Sequence, residues 1–321
     1  HVLRYVLALG VAMRLPVIIA IAACSAGPDD PMNDPLDPVA DTGLADSALV
    51  HQFSFVVVAD PHVTGPGEHL ERLGRAVDWI HDHRDEHDLR FVVILGDICW
   101  GNGFVVAHES LDKLTIPWVP VMGDNVIQTG GASTFHSTFS DQIDRLSAQL
   151  DAFEMAPTPV PNPERGGESW LQNIRFQYGD VRFLAADWNS REVHAFWGQT
   201  PDLHNFNGGT WPWLAEQLST AATSKQNSVV LLSHIPLFEG PGGLTEDEAE
   251  VAVELLAVHE QRIWANLAGH LHIDSSMNWE RAGMEIHVTD ATWDDVNRVR
   301  VVKVSANERR VAFDHWVVDV P

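Results

Sequence analysis

Five short polar motifs, each directly after an apolar run, carry the side chains of this 321-residue chain that could do chemistry. Together they supply three carboxylates and four imidazoles, which are ligands for first-row transition metals. Seven ligands are too many for one ion, so the set predicts two ions about 3.5–4 Å apart that share a bridging carboxylate. The motifs are Asp60–Pro61–His62, Gly96–Asp97, Gly123–Asp124–Asn125, Ser233–His234 and Gly269–His270–Leu271–His272.

The elements that must position these side chains are five predicted strands, because short runs rich in Val, Ile and Phe that end in a polar or Gly signal are typical of buried strands. In a mostly parallel sheet, ligands gather at the carboxyl ends of the strands. Residues i and i+2 of a strand face the same side, so we expect Asp60 and His62 to hold one ion together, as do His270 and His272 in part. Glycines beside the ligands allow close backbone approach. The predicted strands are residues 53–59, 89–95, 116–122, 228–232 and 262–268.

The rest of the chain predicts an α/β fold. The first third alternates strands with helices at 67–88 and within 102–114, which indicates a parallel sheet covered by helices. Residues 188–210 show little periodicity, and such a long segment either has local structure or serves the site. We expect the C-terminal half to form a second sheet stacked on the first, with helices outside. Its predicted elements are helices 134–153, 211–222 and 245–259, a hairpin of 172–178 and 181–187, and strands 275–280, 284–289, 297–304 and 311–318.

The N-terminal segment predicts a targeting signal rather than part of the folded domain. Met13–Arg14, an apolar stretch and Ile21–Ala22–Ala23–Cys24 resemble the signal peptide and lipobox of bacterial lipoproteins, so that residues 1–24 are the signal and Cys24 carries lipid. The alternative is a transmembrane anchor over residues 5–23. Residues 25–50, rich in Asp and Pro, predict a disordered linker to a domain at 51–321. We expect the domain to be tethered at a bacterial envelope membrane, facing the periplasm or the exterior.

Composition excludes several classes of protein. The net charge of −25 disfavours nucleic acid as a partner, because phosphate backbones are repelled. Two cysteines, Cys24 and Cys99, exclude a disulfide framework. Most of the twelve Trp are expected in the core, although some could line a groove.

The order Asp-x-His, Gly-Asp, Gly-Asp-Asn, His, Gly-His-x-His, spread over residues 53–290, resembles the calcineurin-like metallophosphoesterase superfamily. The resemblance implies a four-layer α/β/β/α sandwich with two divalent or trivalent ions of Fe, Mn or Zn. One ion would be held by Asp60, His62, Asp97 and His272, and the other by Asp97, Asp124, His234 and His270, with Asp97 as the bridge.

The third motif departs from the family, which has Gly-Asn-His followed by an acid. Here Asp124 takes the metal-binding Asn position, and Asn125 takes the position of the His that assists the leaving group. A one-residue slip that makes Asn125 the ligand stays open. Asn125 can donate a hydrogen bond to a phosphoryl oxygen, but it cannot supply a proton at neutral pH. Candidate replacements for the missing His are His108, His136 and His194.

Two functions follow from the resemblance. The first is a phosphoesterase that hydrolyses small phosphate mono- or diesters with a bridging hydroxide formed between the two ions, in which Asp97 and Asn125 are the catalytic residues. The second is a lipid-anchored protein that keeps the metals and binds a phospho-ligand with weak or no turnover. The missing His of the third motif motivates the second. The acidic balance disfavours a nuclease.

Overall fold

The computed structural model describes residues 48–192, 200–220, 225–294 and 296–321. The predicted signal peptide, Cys24 and nearly all of the predicted linker lie outside these residues, as does His194. In these ranges no helix is both long enough and apolar enough to cross a bilayer. The first strand begins at Val50, one residue before the predicted domain start at His51.

Most of the strands and helices of the described residues match the predicted apolar runs. The strands are β1 (Val50–Val58), β2 (Leu89–Ile94), β3 (Trp118–Pro120), β4 (Asp151–Met155), β5 (Val160–Pro161), β6 (Glu168–Ser169), β7 (Ile174–Tyr178), β8 (Val181–Ala185), β9 (Val229–Leu232), β10 (Ile263–Ala268), β11 (Ser275–Trp279), β12 (Met284–Val288), β13 (Arg298–Ala306) and β14 (Val311–Asp319). The helices are α1 (Glu68–His83), α2 (Gly103–Leu111), α3 (Asp124–Gln128), α4 (Ala132–Gln149), α5 (Thr210–Ser219) and α6 (Glu246–Val258).

Two large sheets form the centre of the molecule. The first has five strands in the order β14-β13-β1-β2-β3, in which β1, β2 and β3 are parallel and β13 and β14 are antiparallel to their neighbours. The second has seven strands in the order β11-β12-β10-β9-β8-β7-β4. Its central strands β12, β10, β9 and β8 are parallel. Both sheets therefore present carboxyl ends of parallel strands.

Alternating side chains on the strands build the layers. On β1, Val56 and Val58 pack beneath α1 and α2, whereas Phe55 and Val57 pack between the two sheets. A third core lies between the outer face of the second sheet and helices α5 and α6. The predicted α/β/β/α sandwich is confirmed.

The prediction of the second sheet was wrong for the last two strands of the chain. Strands β13 and β14 lie in the first sheet, where β13 pairs antiparallel with β1 from Val50 to Val57. Both faces of β13 carry buried valines, with Val299 and Val301 on the helix side and Val302 on the sheet side. Such a strand fits a position that is covered on both faces, and the position beside β1 is one.

The predicted C-terminal end of the helix at 134–153 was also wrong. Helix α4 ends at Gln149, Leu150 is extended, and β4 follows and pairs with β7. Phe153 and Met155 pack against the core between the sheets. Their apolar spacing looks like a continuing helix face, and only the partner strand decides between helix and strand.

Candidate metal centre

All five motifs begin within four residues of the carboxyl end of a parallel strand. Three follow β1, β2 and β3 in the first sheet, and two follow β9 and β10 in the second. The candidate site therefore lies where corresponding edges of the two stacked sheets meet. The structure brings together all seven predicted side chains, namely Asp60, His62, Asp97, Asp124, His234, His270 and His272.

Left-handed backbone, rather than strand geometry, aims most of these side chains. The prediction that Asp60 and His62 share a strand face was wrong, because β1 ends at Val58. The same holds for His270 and His272, because β10 ends at Ala268. Left-handed backbone costs about 1–2 kcal/mol per non-glycine residue, so the surrounding contacts must hold these turns in place. The φ values are 49° at Asp60, 52° at His62, 43° at Asp97, 69° at His270 and 50° at His272.

Three motif glycines make room for the ligand side chains, as predicted. A Cβ atom would lie 2.3 Å from His234 Nδ1 at Gly96, 2.1 Å from Asp97 N at Gly123 and 2.4 Å from Asp60 Oδ2 at Gly269. Since real Cβ atoms essentially never come within 3.0 Å of another heavy atom, each position requires glycine. The backbone of each loop thus rests directly against a ligand carried by another motif, or against that ligand's own backbone.

A first group of candidate ligands surrounds Asp60. Its Oδ1 atom lies 3.7 Å from His62 Nε2 and 3.5 Å from His272 Nε2. The other oxygen, Oδ2, accepts a hydrogen bond of 2.9 Å from the backbone N–H of His270. One oxygen is thereby fixed by protein while the other faces the two imidazoles.

A second group surrounds Asp124, whose Oδ1 atom lies 3.2 Å from His234 Nε2 and 3.8 Å from His270 Nδ1. The side chain of Gln128 donates a 3.1 Å hydrogen bond to Asp124 Oδ2. His234 Nδ1 lies 3.0 Å from the carbonyl oxygen of Leu95. That contact assigns the proton to Nδ1 and leaves Nε2 to face the group, as second-sphere carbonyls do in metal sites.

Asp97 lies between the two groups. Its Oδ2 atom is 3.3 Å from His62 Nε2 in the first group and 3.6 Å from His234 Nε2 in the second. The same carboxylate accepts hydrogen bonds from Asn125, at Oδ1 from the backbone N–H over 3.0 Å and at Oδ2 from the side-chain amide. The amide of Asn125, expected to face a phosphoryl oxygen, instead donates to Asp97 here.

The carboxylates and imidazoles of the cluster shift one another's pKa values. Burial opposes ionisation of Asp60, but the imidazoles of His272 and His62 outweigh it and lower the pKa of Asp60. Burial also opposes protonation of His62 and His234, yet neighbouring carboxylates raise the pKa of His62 to about 9 and that of His234 to about 10. Burial, together with His234, lowers the pKa of His270. A metal needs neutral imidazole, so its binding would release protons here.

The donor set fits metal ions. Asp60 Oδ1 and His62 Nε2 are buried and make no hydrogen bond, although buried polar groups usually have a partner. The atoms of each group lie within 4.8 Å of one another, close enough to hold one ion. Carboxylate oxygen with imidazole nitrogen suits Fe, Mn or Zn.

The candidate replacements for the missing His have other neighbours. His108 lies 3.7 Å from Asp112 and 3.4 Å from Asp141. The ring of His136 packs against Trp170, and burial, only partly offset by Asp187, lowers its pKa to about 4. A histidine with so low a pKa is a poor general acid for a leaving group at neutral pH.

Two tryptophans beside His62 had no motif to identify them. The ring centroid of Trp293 is 5.2 Å from that of His62 and nearly parallel to it, and Trp100 meets His62 edge-on at 5.0 Å. Trp100 directly precedes the Gly101–Asn102–Gly103 segment that leads into α2. By contrast, Trp188, at the start of the segment with little periodicity, is buried and donates to the carbonyl of Ile235.

Buried hydrogen bonds join the third motif to the second sheet. Gln172 Oε1 accepts from the backbone N–H of Met122 over 2.6 Å, and Asn189 Nδ2 donates to the Met122 carbonyl over 3.0 Å. Asn189 is held in turn by Asp187, which also pairs with Arg191 at 2.7 Å. The loop that carries Asp124 is therefore fixed from both sheets.

Solved structures with similar chains include a provisionally assigned 5′-nucleotidase of Staphylococcus aureus with alpha-ketoglutarate, at 14% identity and a TM-score of 0.49, covering 84% of this chain and 54% of that one. The sulfate thiohydrolase SoxB of Thermus thermophilus, with glycerol, has 14% identity, a TM-score of 0.46 and coverage of 83% and 56%. The protein TT1561, also of Thermus thermophilus, has 12% identity, a TM-score of 0.45 and coverage of 85% and 100%. The chain spans about half the length of the first two proteins.

No curated protein matches this sequence. The family model for calcineurin-like phosphoesterases matches residues 53–274, which is more than half of the chain and contains every residue of the two ligand groups. The chain belongs to the calcineurin-like phosphoesterase family.

Proposed function

We propose that the protein is a metal-dependent phosphoesterase that hydrolyses small phosphate mono- or diesters at a dinuclear centre. The observation that carries the proposal is the arrangement of two groups of three ligands on either side of one carboxylate, Asp97. A shared carboxylate between two ligand sets is the arrangement that a pair of ions requires.

The distances between the seven candidate ligands indicate which of them would hold each ion. Asp97 would contribute to both, and its Oδ2 atom faces a histidine of each group. Fe, Mn and Zn all suit this donor set. The first ion would be held by Asp60, His62 and His272, and the second by Asp124, His234 and His270.

Bound ions would supply Lewis acidity that turns water into hydroxide near neutral pH and neutralises charge on the phosphoryl group. The chain's own residues hold the ligands in place: Asn125 holds Asp97, and Gln128 holds Asp124. Neither side chain can give a proton to the leaving oxygen. General acid help is worth about 10²–10⁴-fold, so we expect turnover to favour esters with acidic leaving groups.

The test combines elemental analysis with a substrate panel. Purified protein is expected to carry two metals per chain and to hydrolyse activated phosphoesters. Asp97→Asn is expected to lower metal content and activity together, whereas Asp78→Asn, at an exposed position on α1, should change neither. Metal-loaded protein that hydrolyses neither mono- nor diesters would contradict the proposal.

A second candidate function is a phospho-ligand-binding protein that keeps its metals with little turnover. The engagement of the Asn125 amide by Asp97 favours it, because the third motif then offers no group to the leaving oxygen. Calorimetry that shows phosphate binding by metal-loaded protein, without hydrolysis of any ester in the panel, would support this function over the first.

We also propose that lipid on Cys24 holds the protein at a bacterial envelope membrane, with its domain facing the periplasm or the exterior. The support is the Ile21–Ala22–Ala23–Cys24 pattern. Mass spectrometry of the mature N-terminus should find acylated Cys24, and Cys24→Ser should move the protein from the membrane fraction to the soluble fraction. An unmodified Cys24 in membrane-associated protein would refute the lipid anchor.

A further inference from the structure

Three of the four histidines form the open face of the metal centre, whereas His234 is buried. The side chain of His272 is 27% exposed, and those of His270 and His62 are 13% and 12% exposed. The carboxylates of Asp60 and Asp124 are at most 2% exposed. A substrate must therefore approach over the imidazole rings.

Two indole rings flank that open face. Trp293 stacks on His62 and meets His272 edge-on with a centroid distance of 5.4 Å. Trp100 contacts His62 from another direction. Both indoles are only partly buried. We call Trp100 and Trp293 the indole wall.

Two exposed aliphatic residues lie close in sequence to His272 and Trp293. Ile273 follows His272 directly and is 49% exposed, and Val296, three residues after Trp293, is 36% exposed. Single exposed apolar side chains are common on protein surfaces, so these two residues alone do not define a ligand surface.

Arginines near the indole wall are already neutralised. Arg72 pairs with Glu68 at 3.0 Å and also donates to the backbone of the loop that carries Trp293. Arg298, just after that loop, pairs with Asp290 at 2.6 Å. Each of these cations has a carboxylate partner, so this side of the site is poorly suited to a second phosphate group of a substrate.

We infer that the indole wall binds a flat aromatic ring in the alcohol part of the substrate, which makes aryl phosphoesters the substrate class and Trp293 a specificity-determining residue. The inference rests on the proposed function. Aromatic rings attract one another at centroid distances of about 4.5–7 Å, the range that Trp293 already keeps with its neighbours. The indole N–H of Trp293 makes no hydrogen bond, so phenylalanine can retain the stack.

The experiment compares an aryl and an alkyl phosphoester with leaving groups of equal pKa. Trp293→Ala is expected to raise the KM for the aryl ester by about 2- to 12-fold, the range that an aromatic pair contributes beyond buried area, and to leave the KM for the alkyl ester unchanged. Trp293→Phe should restore most of the loss. The matched control is Trp316→Ala, because Trp316 is a partly buried tryptophan of β14 that contacts His87. This substitution should change neither KM.

The alkyl ester separates the alternatives. If Trp293 only supports the metal ligands, Trp293→Ala lowers metal content and impairs both esters equally, and the inference is overturned. An unchanged ratio of the two KM values overturns it as well. If metal-loaded wild-type protein hydrolyses neither ester, the proposed function fails. Calorimetry with an aryl and an alkyl phosphonate then tests the indole wall by itself: equal affinities refute it, and aryl preference lost in Trp293→Ala supports it.

Discussion

Gly123→Ala tests whether the approach of the third motif to Asp97 holds the metal centre together. The backbone at Gly123 has φ −102° and ψ 174°, which any residue adopts. Alanine therefore carries no conformational penalty, and its effect isolates the contact of the added Cβ atom. That atom would lie 2.1 Å from both the N and Oδ1 atoms of Asp97 and 2.7 Å from its Cα.

The contact is more than an ångström shorter than ordinary van der Waals contact. Two of the three opposing atoms are backbone, so a side-chain rotation cannot relieve it. Overpacking of this kind costs about 1–3 kcal/mol. Asp97 must also move relative to both ligand groups, and displacing a supporting contact typically lowers metal affinity about 10- to 100-fold.

Urea unfolding and metal titration of the purified protein measure the two effects. Gly74→Ala is the matched control, because α1 has open space at Gly74. There alanine should stabilise the protein by about 0.5–1 kcal/mol and leave metal affinity unchanged. If Gly123→Ala binds metal like the wild type with unchanged stability, the packing of Gly123 on Asp97 does not position the centre.

Three further changes have expected outcomes. Because the pKa of His136 is lowered from 6.5 to about 4, the unfolded state binds more protons than the folded state below pH 6.5. The free energy of unfolding should therefore fall as the pH drops from 6.5 to 4. In His136→Phe this fall should be smaller by on the order of 2 kcal/mol, measured by urea unfolding. Arg300→Lys removes hydrogen bonds that the buried guanidinium donates to Asp274 and Thr289, and should cost about 1–3 kcal/mol, whereas Arg281→Lys, on the surface, should show no change. Chelation should lower the Tm by roughly 5–10 °C relative to protein with metal at a hundredfold excess over Kd, and by nothing if no metal binds.

The candidate ligands could be located from sequence because each motif ends an apolar strand. Strand ends are local signals, and parallel strands bring distant ends to one edge. The orientation of the side chains could not be predicted in this way. Asp60 and His62 adopt left-handed backbone beyond β1, which loop contacts impose, such as the hydrogen bond from the backbone N–H of His270 to Asp60. The role of these residues as ligands stays a prediction.

The strand partners and the indole wall could not be predicted from the sequence for a different reason. The apolar pattern of β13 shows that both faces are buried, but it does not name β1 as the neighbour. Trp293 belongs to no motif and reaches His62 only because the loop after β12 passes over the site. Long-range pairing depends on the whole fold, and a single sequence shows only local patterns.

Two features in distant segments point to one kind of substrate. In the third motif Asn125 supports Asp97 and has no proton for a leaving group, so under the proposed function the leaving group must depart as an anion. Phenolic leaving groups do so more readily than alkyl alcohols, since the phenol pKa is about 10. The segment after β12, remote in sequence, places Trp293 against His62, where the inferred aryl ring would stack. A histidine at the third motif would remove the need for an acidic leaving group, so Asn125→His should improve alkyl esters far more than aryl esters. Trp293→Ala should shift the preference in the same direction, but by weakening aryl esters alone.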